Sequence, residues 1–132
     1  MSRRPFFYRE TRGIRVTVRP SFRADQSRPI QRQFVFAYAV RIENVGQTSA
    51  QLLRRRWLIH DSAGQDTEVD GEGVVGLQPV IPPGGVHEYS SYCVLRSPEG
   101  YMEGAYRFRD EEGGEFDAVI PRFMLEVERP AP

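Results

Sequence analysis

Gly71, Gly73 and Gly76 form a Gly-x-Gly-x-x-Gly string within GEGVVGLQPVIPPGG, residues 71–85. With this spacing a dinucleotide-binding strand delivers a pyrophosphate to the amides at a helix N-terminus. No helix can follow here. Pro79, Pro82 and Pro83 each lack an amide donor and disfavour the helical conformation of the preceding residue. The string is expected in an irregular loop with extended pieces. There the amides of Gly71, Gly73, Val74, Val75 and Gly76 make a candidate anion nest rather than a helix-dipole site. Arg55 is the candidate side-chain donor to the same anion, and the ligand class is a phosphate-containing small molecule, pyrophosphate or nucleotide.

Other chemistry-bearing residues are sparse. Cys93 and His87 fall on one face of a predicted strand, but six residues of extended chain separate them by about 20 Å, beyond hydrogen-bond reach. Cys93 reads as a small core residue, and no catalytic residue set emerges, so a non-enzymatic protein without a cofactor is expected. For a metal, His60 with the acidic turn Asp110, Glu111 and Glu112 supplies nitrogen and oxygen donors, but with no ligand spacing that specifies zinc or calcium. Those four are weak candidates, and a solvated hairpin tip is the favoured reading of Asp110 to Glu115. Arg55 shares a strand face with Trp57, which suits a snorkelling arginine beside a core tryptophan. Arg54 and Arg56 point the other way.

The elements that must position these residues alternate with a period of two. Ile14, Val16 and Val18 form one inward face, and Phe34, Phe36, Tyr38, Val40 and Ile42 another. Leu53, Trp57 and Ile59 are expected on the inner face of the next strand. A short strand from Asp66 to Val69, an aromatic-rich one from Val86 to Leu95, and further alternations from Gly104 to Arg109 and Phe116 to Ile120 follow. Pro121 marks an edge position or a bulge, after which Phe123, Leu125 and Val127 resume the pattern. Seven to eight short strands without amphipathic helices predict an all-β, antiparallel β-sandwich of the immunoglobulin or fibronectin type III kind. The single domain is expected over residues 13–127, with an N-terminal arm at 1–12 whose Phe6, Phe7 and Tyr8 could pack on the sandwich or on a second chain, and a C-terminal tail at 128–132.

Composition narrows the partners. The 132 residues suit one core, and 18 basic against 18 acidic residues give a net charge of zero. Nucleic acid is not an expected partner, nor is a membrane, since no stretch approaches a membrane span. Every basic residue is an arginine, scattered as coding composition would scatter them rather than clustered as an anion site requires. The lone Cys93 can form no internal disulfide, which with the absence of a signal-peptide pattern predicts a cytoplasmic protein. Exposed sheet edges make a homodimer a candidate assembly.

The strings FAYAVRIENVG, QLLRRRWLIHD, EVDGEGVVGLQPVIPPGG, EYSSY and EGYMEGAYRF, in this order and spacing, resemble the bacterial ApaG proteins over nearly the whole chain. The resemblance implies a fibronectin type III-like sandwich. It places the family signature on Arg55, Trp57, Gly71, Gly73, Gly76, Gln78, Pro79, Pro82 and Gly84. It further implies a link to cobalt resistance and magnesium efflux and a protein-interaction role, with pyrophosphate binding at the glycine motif as the alternative. The resemblance brings with it no established enzyme reaction.

Overall fold

Two antiparallel sheets close over the residues whose alternation marks them as inward-facing. The computed structural model describes residues 5–127, so residues 1–4 of the expected arm and the expected tail at 128–132 lie outside the described residues. The strands are β1 Phe7–Thr11, β2 Ile14–Phe22, β3 Phe34–Asn44, β4 Ala50–Asp61, β5 Gln65–Glu72, β6 Val80–Ile81, β7 Val86–Leu95, β8 Glu99–Asp110 and β9 Glu115–Glu126. One sheet has the order β1-β2-β3-β7 and the other β5-β4-β8-β9, with the two-residue β6 added to β4. The chain changes sheet between β3 and β4, between β6 and β7, and between β7 and β8. The described residues hold nine strands, β1 and the two-residue β6 among them, where seven to eight were expected.

The boundary drawn at residue 13 moves. β1 pairs with β2 from Phe7↔Val18 to Thr11↔Ile14, so the second half of the expected arm is an edge strand of the sandwich. Phe7 packs on the core with its ring 6.5 Å from that of Phe123.

Trp57 is the centre of the core. Its ring lies 5.5 Å from Tyr38, 6.1 Å from Tyr106 and 5.9 Å from Phe123, the last two edge-on. Such aromatic contacts add about 0.5–1.5 kcal/mol each beyond the burial of area. The inner face of β4 differs from the alternation, because Leu52 is fully buried and Leu53 is not. A bulge between Leu52 and Arg54, opposite Phe108 and Arg107, inserts one residue and shifts the phase, as bulges do. Pro121 satisfies both readings of its position. β9 is an edge strand, and Pro121 with Arg122 stands opposite Glu103 alone, where the register passes from Met102↔Phe123 to Gly104↔Ile120.

Two buried polar side chains tie the ends together. Asn44 donates from Nδ2 to Thr48 O (2.7 Å) and Ile81 O (2.8 Å) and accepts from Gly46 N–H, fixing β6 against the β3–β4 turn. Asp61 accepts from the Arg96 and Ala63 amides and from Ser97 Oγ, fixing the end of β4 to the β7–β8 connection. Burial alone would raise the Asp61 pKa, but the donors from Ser97, Arg96 and Ala63 outweigh it and hold the carboxyl below its usual value.

Candidate functional site

The bulge in β4 builds the site. By displacing Leu53 it turns the Leu53 carbonyl toward the loop that leaves β5, where it accepts from Gly73 N–H (2.8 Å) and from Gln78 Nε2 (3.0 Å). Val74 and Leu77 then exchange backbone hydrogen bonds at 2.8 and 2.9 Å, closing a tight turn with Val75 and Gly76 at its tip. Their φ angles of 47° and 78° are those of a type I′ hairpin turn. Val74 is fully buried and anchors the loop in the core. Gly73, at φ 61°, is required by close approach, since a Cβ there would collide with the Leu77 carbonyl.

Beyond the tip the loop stays attached to β4. Leu52 N–H donates to Pro79 O at 3.0 Å, Gln51 Nε2 donates to Gln78 O at 3.2 Å, and Ala50 pairs with Ile81. Pro82 O accepts from Gly85 N–H, and Gly84, at φ 79°, supplies the left-handed residue of that turn.

Arg55 meets this loop through carbonyls. Its Nη1 donates to Glu72 O and Gly73 O, both at 2.9 Å, and the guanidinium lies over Gly71. Behind it sit the phenols of Tyr38, Tyr89 and Tyr106, and the hydroxyls of Tyr89 and Tyr106 are hydrogen-bonded to each other. Burial pushes all three phenols above their usual pKa, with Arg55 opposing the effect, so all three are neutral donors at pH 7.

The five-amide anion nest does not form. Gly73 and Val74 amides are engaged inside the loop, and at its tip Val75 and Gly76 are the amides without a backbone acceptor. What the loop presents instead is apolar: Val75, Leu77 and Val80 are 68%, 56% and 61% exposed. In the sequence Val75 enters only as an amide donor and this apolar display is not legible, because Val-Gly is not the Asn-Gly or Asp-Gly pair that signals a type I′ turn.

The chain matches the family model described as ApaG domain over residues 24–110. Protein ApaG of Anaeromyxobacter dehalogenans (strain 2CP-1 / ATCC BAA-258) is 50% identical over 117 residues, covering 89% of this chain and 92% of that protein. Protein ApaG of Paramagnetospirillum magneticum is 51% identical over 116 residues, covering 88% and 89%. This chain belongs to the ApaG family. A crystal structure of a Bordetella pertussis protein described as ApaA superimposes with a TM-score of 0.86 at 42% identity, covering 93% of this chain and 97% of that one. Of the positions that the resemblance marks as the family signature, Trp57 lies in the core, Arg55 and Gln78 brace the loop, and Gly73 permits its close turn.

The remaining candidates stay apart. Cys93 and His87 face inward on β7 opposite Phe36 and Ile42, and burial, with Asp61 nearby, pushes the Cys93 thiol up to about 12. His60 Nδ1 sits 2.6 Å from Asp66 Oδ1 with its ring stacked 4.6 Å from Tyr101, at one end of β4. Asp110, Glu111 and Glu112 lie at the other end, opposite Ala50, about 30 Å away along the strand. Asp110 Oδ1 accepts from the Glu112 and Gly114 amides and Glu111 Oε1 from the Ser49 amide. Among the described residues no three His, Cys, Asp or Glu side chains are placed to share a metal ion. No helix among them is long and apolar enough to cross a membrane.

Proposed function

We propose that this ApaG-family chain is a non-enzymatic binding module of the cytoplasm that acts through protein contacts made by the loop of residues 73–80, in a process linked to cobalt and magnesium homeostasis. One observation carries the reading: Val75 is a β-branched residue held at φ 47° with most of its surface exposed. Such a conformation costs of order 1–3 kcal/mol and persists where the surroundings over-determine it, a pattern concentrated at binding sites. Here the surroundings are the buried Val74, the Leu53 carbonyl and the Arg55 brace. Together they hold Val75, Leu77 and Val80 out as a preformed apolar knuckle, which avoids the ordering entropy that a flexible loop loses on binding. The cation link comes from the family resemblance.

The test is affinity capture with the full chain from its native cytoplasm, followed by titration of the purified partner. Val75→Asp with Leu77→Asp leaves the loop hydrogen bonds in place and is expected to abolish binding without lowering the melting temperature. The same variant should fail to restore cobalt tolerance to a strain lacking the chain. A partner bound equally by the variant would sink the reading.

A second reading, phosphate binding, is supported by the Val75 and Gly76 amides at the turn tip. Calorimetry with pyrophosphate and ATP tests it. Heat lost when Val75→Asp sets a carboxylate beside those amides supports it, and no heat at millimolar ligand removes it.

A further inference from the structure

Among the described residues the sandwich has four strand edges, and three of them are blunted. β1 is five residues long, β9 carries Pro121 in a bulge, and β5 carries Asp66, Glu68, Asp70 and Glu72. β7 is different. It runs ten residues in unbroken register with β3, contains no proline or glycine, and has Glu88 as its one acid, already paired with Arg41. Its outward side chains include Val86, Tyr92 (69% exposed) and Val94.

The ladder shows which backbone groups are left free. Asn44 N–H donates to Gly85 O where β3 meets the start of β7. Bonded pairs in an antiparallel ladder alternate. His87, Tyr89, Ser91, Cys93 and Leu95 therefore bond to β3, and the N–H and C=O groups of Val86, Glu88, Ser90, Tyr92 and Val94 point off the edge.

The geometry points to a second copy of this chain as the occupant: β7 pairs antiparallel with β7 of that copy, about a two-fold axis at Ser90. In that register Ser90 opposes Ser90, Glu88 opposes Tyr92 and Val86 opposes Val94, so each of the five edge residues meets another with free groups. A shift of the axis to Ser91 leaves Val86 unpaired. The pairing sets no carboxylate against a carboxylate, whereas β5 against β5 would oppose four with four. It continues the β1-β2-β3-β7 sheet across the dimer, and its backbone pairing uses residues 86–94 rather than the knuckle at residues 73–80. This inference extends the reading of the chain as a contact-making module, but the two fail separately: a monomeric wild type removes the dimer and leaves the knuckle to its partner.

Sedimentation of the wild-type chain is expected to show a monomer–dimer equilibrium. Ser90→Pro removes an outward amide and no bond to β3, and Val94→Lys adds a charge at the edge. Each is expected to weaken the dimer tenfold or more with an unchanged circular dichroism spectrum and melting temperature. If the proline perturbs folding, the lysine variant decides. In a Cys93→Ser background, Ser90→Cys is expected to form a disulfide-linked dimer on mild oxidation, since Cα atoms in a bonded pair lie about 5.5 Å apart, within disulfide range. A wild type monomeric up to millimolar concentration, a dimer indifferent to Val94→Lys, or no cross-link at residue 90 would overturn the proposal.

Discussion

Arg55 and Gly71 face each other across the β4–β5 ladder, and the guanidinium occupies the space a side chain at residue 71 would fill. A Cβ at Gly71 would stand 3.0 Å from both Arg55 Nη atoms. The absence of a side chain on β5 is thus what lets an arginine on β4 reach the Glu72 and Gly73 carbonyls. Gly71→Ala is expected to displace the guanidinium and lose those two bonds, a loss of about 1–3 kcal/mol for hydrogen bonds from a charged donor. Arg55→Met should cost a similar amount, and the double variant little more than either single one. Urea melts of all four proteins measure this coupling; additive losses would show that the pair does not act as a unit.

The Asp61 carboxylate predicts a specific acid sensitivity. Its pKa is lowered on folding, so its contribution is fully present above the unfolded value near 4 and is lost as the pH falls through the folded value. Asp61→Asn presents an amide to donors from Arg96, Ser97 and Ala63 and is expected to cost about 1–3 kcal/mol at pH 7. The gap between wild type and variant should narrow as the pH is lowered from 5 toward 2. A gap independent of pH would show that the carboxylate charge is not what holds the β7–β8 connection.

Cys93 should be inert while the protein is folded. With its thiol pushed up to about 12, the thiolate is a trace species at pH 7. Reaction with a thiol reagent is expected to be at least about tenfold slower in the native chain than in the unfolded one, where the pKa returns to about 8.5. Native labelling as fast as in urea would reopen Cys93 as a nucleophile.

The sandwich was legible because strands of a two-layer fold write their burial into alternate residues, as Ile14, Val16 and Val18 or Phe116, Ala118 and Ile120 do. Where one residue is inserted the rule fails: the bulge at Leu53 exchanged the expected inner position for Leu52. The packing of the N-terminal arm on the sandwich was open to sequence reading through Phe6, Phe7 and Tyr8, but its pairing as strand β1 was not, because Tyr8, Arg9 and Glu10 of an exposed edge strand carry little hydrophobic pattern. At the loop, the prolines correctly excluded a helix. The destination of the amides depends on which carbonyls lie nearby, and Leu53 O reaches Gly73 only through the bulge.

Val75 offers the sharpest separation of stability from binding. An asparagine accepts the left-handed conformation better than a β-branched residue does, and Val75 is exposed, so its replacement removes little buried area. Val75→Asn is therefore expected to stabilise the chain by about 1 kcal/mol, within the range stored in such backbone conformations. It should at the same time weaken capture of the protein partner, because it takes an apolar side chain from the knuckle. Gly73→Ala, which drives a Cβ into the Leu77 carbonyl, should destabilise the fold and lose binding together. If Val75→Asn raises the melting temperature and leaves binding intact, Val75 is strained for some reason other than recognition, and the contact surface must lie elsewhere on the sandwich.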